Sequence, residues 1–216
     1  MIGYYNYTVI LTYLSLVTGS TGIFFALRGR PDIAVVLLLT AGLFDLFDGK
    51  VARTKKDRTH DEKNFGIQID SLNDVICFGV LPACIGYAVG MTSYWFIPLF
   101  AIFILAGLIR LAYFNVRELN EFYDYNEEGS ARANDHCYYG MPITMTSLIV
   151  PAMYLLEPAL KENYYIFYAC LMGLLAICFI AKIRIPKPNK FATILLALLG
   201  TALCIGLIVT YILTRK

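Results

Sequence analysis

Long apolar runs alternate with short polar ones along this chain, at approximately residues 7–27, 33–53, 65–90, 95–116, 141–157, 164–181 and 191–213. A helix needs about 20 apolar residues to cross a bilayer, so the pattern predicts seven membrane-spanning helices. The runs at 141–157 and 164–181 are at the short end of that range. Only short connections lie between the runs, which leaves no room for a sizeable soluble domain. The expectation is an all-α integral membrane protein whose residues 1–216 form a single transmembrane domain.

Composition agrees with the pattern. Of the 216 residues 58% are hydrophobic and 16% charged, a balance far from that of a soluble domain. The first run has no basic segment before it and no small-residue cleavage pattern after it, so insertion without cleavage is expected. With the N-terminus in the cytosol, eleven loop Lys and Arg residues fall inside and five outside, as the positive-inside rule requires. The net charge of +2 is small and its basic residues sit in short loops, which suits anionic lipid headgroups and argues against nucleic-acid binding. Six scattered cysteines show no metal or disulfide spacing and read as small buried hydrophobes.

Polar residues inside the apolar runs change the picture. Asp45 and Asp48 close the second run, and Asp70 and Asp74 sit in the third. A carboxylate in a membrane segment costs roughly 2.5 kcal/mol or more, so it points to a cavity, a partner or a metal. Helical periodicity puts Asp45, Asp48 and Ala52 on one face, and Gly66, Asp70 and Asp74 on one face of the next helix. The short polar connection TKKDRTHDEKN folds those faces together at the cytosolic side. Two facing carboxylate pairs can hold two divalent cations, Mg²⁺ or Mn²⁺, in the arrangement that suits phosphoryl chemistry. Gly49, Ala52 and Gly66 leave room for a bulky ligand near the backbone. The same aspartates could instead form ion pairs with Lys50, Arg53 or Arg110, or line the ion path of a transporter.

The full spacing is D-x2-D-G-x2-A-R, twelve residues, then G-x3-D-x3-D, and it resembles the signature of the CDP-alcohol phosphotransferase family at all eight positions. The resemblance implies a core of six transmembrane helices in a homodimer, to which the seventh segment here would be peripheral. It also implies an enzyme that displaces CMP from a CDP-linked lipid by attack of an alcohol. Carried onto this chain, Asp45, Asp48, Asp70 and Asp74 would bind metal, and Asp74 would also be the base. Asp48, Gly49, Ala52, Arg53 and Gly66 would contact the nucleotide. The twelve-residue connection is longer than the eight of many members. That difference is mild, because loop-closure cost grows slowly with length.

Further blocks resemble the membrane-embedded phosphatidylserine synthase branch of the family: DSLNDVICFGVLPA, GLIRLAYFNV and YYGMPIT. In the first helix Thr12, implied at the nucleotide, and Gly19 match, while Ser15 replaces a usual Asn. This branch implies CDP-diacylglycerol and L-serine as substrates, CMP as product and a multi-pass protein of the cell membrane with its site facing the cytosol. Arg110 would bind the serine carboxylate or a lipid phosphate, or pair with an active-site Asp. Asn115 would satisfy a polar substrate group or cap the helix. Tyr113 departs from the basic residue of many relatives, so other acceptors (inositol phosphate, glycerol phosphate, choline) and an archaeal CDP-lipid donor stay open. Pro142 is expected to start the fifth span, Lys50 to snorkel to the headgroups, and the acidic, aromatic residues 117–138 to form a loop or a lid.

Overall fold

The computed structural model describes residues 3–4, 7–52, 54–55, 57, 59–128, 137–182, 184–186 and 198–207, and of 52, 118–128, 137–139 and 184–186 the backbone alone. The regular elements among the described residues are helices and one short ladder of two strands. A 3₁₀ turn, Tyr7–Val9, leads into α1 (Ile10–Leu27), which a tight turn at Gly29 joins to α2 (Pro31–Ala52). Arg30 donates both Nε and Nη2 to Asp32 at 3.0 and 2.9 Å, leaving a carboxylate at the positive end of the α2 dipole.

The next rod begins earlier than the apolar pattern suggests. α3 spans His60–Asp74, a π-helical turn Val75–Val80 continues it, and α4 (Leu81–Ala88) ends it. The start is set by a capping box: Glu62 N–H donates to Thr59 Oγ1 at 3.2 Å, and Thr59 N–H to Glu62 Oε2 at 3.1 Å. Lys55 Nζ closes on Glu62 at 2.9 Å. The polar residues HDEKN therefore belong to the helix and not to the loop.

In the wide turn Leu81 N–H donates to Ile76 O, five residues back. Pro82 follows, and it cannot donate to the carbonyl four residues before it. That carbonyl, Phe78 O, accepts from the buried Thr146 hydroxyl at 3.2 Å, which also lies 2.8 Å from Ile143 O. Pro82 O accepts from the fully buried Tyr168 hydroxyl at 2.8 Å.

A 3₁₀ turn at Tyr94–Phe96 holds Tyr94 and Trp95 outward, as aromatic residues stand at a membrane interface. It opens α5 (Ile97–Glu128), which at 32 residues runs well past the predicted end at 116. The expected loop is thus helical through 128, and 129–136 lie outside the described residues. β1 (Cys137–Tyr139) pairs antiparallel with β2 (Arg184–Pro186), Tyr138 opposite Ile185. Gly140 has φ +76, and a Cβ there would come within 2.8 Å of Phe179 O, so the G-x-P block seats the chain on the end of a later helix.

Pro142 caps a 3₁₀ turn, Ile143–Met145, ahead of the short α6 (Thr146–Tyr154). α7 (Glu157–Leu160) and a turn then lead into α8 (Tyr164–Ile180). The last described helix, α9, is Leu198–Leu207, and the rest of the run 191–213 lies outside the described residues.

Among the described residues four helices are long and apolar enough to cross a membrane: Tyr7–Leu27, His60–Ala88, Tyr94–Arg117 and Glu157–Ile180. α2 is 22 residues long but carries Asp45, Asp48 and Lys50 in its second half, and Ile143–Tyr154 is a shorter apolar helix. α1 packs along α2 and against α4, α2 against α6, and α5 against α8. Leu38, Phe78, Leu81, Ile85, Phe103 and Met172 fill the shared core. Large apolar side chains such as Phe24, Ile102 and Ile177 point outward, the all-round hydrophobicity of helices in lipid. The protein is an all-α integral membrane protein.

Candidate active site

Three elements converge at the signature. α2 carries Asp45 and Asp48 near its C-terminal end, and α3 brings Asp70 and Asp74 back beside them. Carboxylate oxygens of Asp45, Asp70 and Asp74 lie within 4.8 Å of one another. Asp45 is also within hydrogen-bonding reach of Asp74, and Asp48 of Asp70. Asp48 joins the group from the side facing α1, where its Oδ2 accepts from the buried Thr12 hydroxyl at 3.1 Å. Sequence reasoning paired these four carboxylates from spacing alone, and Thr12 by resemblance; the fold brings all five side chains together.

This close set of carboxylates in an apolar bundle repels itself unless a cation sits among them. Asp74 Oδ1 is buried with no hydrogen-bond partner among the described residues, an acceptor left over in the cluster. Oxygen-only donors of this kind suit hard divalent cations, so the residues present fit a metal site.

Gly49, next to Asp48 on α2, is exposed. A Cβ placed at Gly49 would meet nothing within 4 Å, so the α2 backbone next to Asp48 is free for close approach by a ligand. Lys50 is exposed, its Nζ 5.3 Å from the Phe47 ring centre. Gly66 lies half-buried on α3 one turn before Asp70. Arg53 and the side chain of Ala52 lie outside the described residues.

α5 flanks α3 and the π turn. Ser71 Oγ donates to Asn115 Oδ1 at 2.9 Å, which ties the RLAYFN block to the aspartate helix. Arg110, half-buried, stands on the same helix five residues earlier, and Tyr113 is exposed.

Beside the carboxylates, toward α1, lie polar groups that the sequence did not flag. Ser15 Oγ donates to Ala41 O at 3.1 Å, and Cys77 Sγ lies 3.1 Å from Asn73 Oδ1. A Cβ at Gly19 would collide with Cys77 Sγ, so that glycine permits the close crossing of α1 and the π turn. Asn73 and Cys77 fall on the Asp70–Asp74 face at i+3 and i+7, a periodicity present in the sequence that could have flagged them.

The model of the CDP-alcohol phosphatidyltransferase family matches residues 5–181. The chain belongs to this family. It is 29% identical over 194 residues to a CDP-diacylglycerol–serine O-phosphatidyltransferase of Helicobacter pylori, covering 86% of this chain and 74% of that protein. A protein of the same name from Mycobacterium tuberculosis is 28% identical over 215 residues, 94% of this chain and 71% of the relative. An archaetidylserine synthase of Methanothermobacter thermautotrophicus is 32% identical over 147 residues, 68% of this chain and 56% of the relative. The matched span contains every described residue of the aspartate site.

Proposed function

We propose that this chain transfers the phosphatidyl group of CDP-diacylglycerol to the hydroxyl of L-serine, releasing CMP and forming phosphatidylserine. The observation that carries the reading is the cluster of Asp45, Asp70 and Asp74, placed by a signature spacing within a chain of this family. The names of the relatives supply the acceptor. The whole chain acts as one transmembrane catalytic domain, as a homodimer in the cell membrane with its site facing the cytosol. Tyr7 OH lies 3.2 Å from Thr54 Oγ1, and the Tyr4 ring packs edge-on against Phe65 at 5.6 Å, which puts the N-terminal segment on the same side as the signature loop.

Asp45, Asp48, Asp70 and Asp74 would hold two divalent cations, Mg²⁺ or Mn²⁺. When bound, these neutralise the pyrophosphate and stabilise the leaving oxygen. Thr12 orients Asp48, and Gly49, Ala52, Arg53 and Gly66 line the nucleotide. Asp74 takes the proton of the serine hydroxyl as its oxygen bonds to the lipid-bearing phosphorus. The bond from that phosphorus to the bridging oxygen breaks, and CMP departs with the oxygen. Arg110 and Asn115 serve the serine carboxylate or the lipid phosphate.

The test is CMP release by purified protein in detergent with Mn²⁺ or Mg²⁺, with L-serine, inositol phosphate, glycerol phosphate or no acceptor. Release that requires both serine and metal is expected. Release with a different alcohol would reassign the acceptor pocket, and silence with every alcohol from folded protein would reject the activity. The archaetidylserine synthase relative favours a second reading for the donor, an archaeal CDP-lipid, so both CDP-lipids belong in the assay.

A further inference from the structure

Asn73 sits between Asp70 and Asp74 on α3 and is 2% exposed. Its amide is split between two environments. On one branch Oδ1 faces the Cys77 thiol at 3.1 Å, and a thiol is a weak donor that an amide oxygen can accept. The thiol proton is shared with Ser15 O, 3.4 Å from Cys77 Sγ, and Nδ2 lies on the other branch. Nδ2 is buried and has no hydrogen-bond partner among the described residues.

A buried amide donor without an acceptor is costly and rare in native structures. Packing alone does not explain it, because a leucine of nearly the same shape would fill the space without stranding two N–H groups. The position narrows the choice of missing partner. Residues 70, 73, 74 and 77 share one helical face, so the stranded donor lies on the stripe that carries the carboxylates. The fourth aspartate is occupied by Thr12, and none of the four carboxylates accepts from Nδ2. An oxygen from outside the chain, of water or of a ligand, would complete the site.

We infer that Asn73 is a substrate-binding residue whose Nδ2 donates to an oxygen of the pyrophosphate in the CDP-linked lipid. A phosphate oxygen is the stronger acceptor among the candidates, since hydrogen bonds to ionised acceptors are about twice as strong as neutral ones. A neutral donor is also well suited to the place. It holds an anion beside four carboxylates without adding a cation that would compete for them. Asn73 thus acts on the phosphate donor substrate and leaves the acceptor alcohol to other groups. The inference rests on the proposed reading of the site as one for CDP-linked lipids.

The experiment compares wild type with Asn73→Leu, and with Asn73→Ala in case the leucine variant does not survive purification. Three quantities are measured in detergent with Mn²⁺: the thermal midpoint without ligand, the affinity for CDP from its thermal stabilisation, and the KM for serine in CMP release. Because the free protein strands a donor, the leucine variant is expected to match or exceed the wild-type midpoint. CDP affinity is expected to fall roughly tenfold to hundredfold, the loss typical of a hydrogen bond to a charged group, with the serine KM within about twofold of wild type. Unchanged CDP affinity with a raised serine KM would assign the amide to the acceptor and overturn the inference. For the leucine variant, a lower midpoint without ligand, whatever the affinity, would make Asn73 a packing residue; the alanine variant, which leaves a cavity, is judged on CDP affinity and serine KM alone. Failure of the wild-type protein itself to bind CDP would reject the proposed function, a result separate from any behaviour of the variants.

Discussion

Thr12 and Asp48 show how a single hydroxyl can matter in an apolar bundle. The 3.1 Å bond between them is buried, and it crosses from α1 to α2. Thr12→Val keeps the shape and removes the donor. Hydrogen bonds to charged groups contribute about 1.5–3 kcal/mol, so initial rates of CMP release should show kcat/KM lower by roughly tenfold to a hundredfold. Unaltered rates would release Asp48 from the nucleotide site. The two halves of the signature should also separate. Asp74→Asn is expected to abolish turnover while sparing CDP-lipid binding better than Asp45→Asn does, because a base is needed for proton removal and not for binding. Equal loss of binding in the two variants, read by CDP-lipid protection against heat, would take the base role from Asp74.

Among the elements, the long α3 rod is the one whose construction the sequence showed least clearly. Its spacing made Asp70 and Asp74 legible, because 3.6-residue periodicity is a local property. The start at His60 was also local: Thr59 and Glu62 spell a capping box, but the apolar run at 65 drew the boundary inward. Thr59→Ala should lower the thermal midpoint by the equivalent of about 1 kcal/mol while leaving the serine KM unchanged, since the cap lies outside the aspartate cluster. A shift in KM would mean that the loop touches substrate. The wide turn at Val75–Val80 was not legible. It depends on Thr146 and Tyr168, side chains far away in sequence that supply donors to Phe78 O and Pro82 O. Likewise α5 continues to Glu128 through an acidic, aromatic stretch that offered no apolar stripe to extend. Asn73 went unremarked because its significance lies in a contact that is missing, which only the packed structure reveals.

The molecule as a whole has a membrane body with its costly groups gathered at one site. The proposed cations would offset that concentration of carboxylates, and this gives a global expectation. Removing divalent metal with EDTA should stop CMP release and lower the thermal midpoint of the whole protein. Restoring Mn²⁺ should recover both, since a ligand bound only by the folded state stabilises it by mass action. A midpoint indifferent to metal would argue that the aspartates hold none. The exposed Tyr94 and Trp95 mark the far interface, at the end of the rod away from the signature loop.

The same rod fixes the depth of the chemistry. Asp74 lies 14 residues before the end of α4 at Ala88, about 21 Å at a helical rise of 1.5 Å per residue, in a hydrocarbon slab of about 30 Å. On the proposed function the lipid reactant arrives by sideways diffusion in two dimensions and serine from three-dimensional solution. Kinetics in mixed micelles should obey surface dilution: adding inert detergent at constant total CDP-lipid slows the reaction as the lipid mole fraction falls, while the dependence on serine continues to follow its bulk molarity.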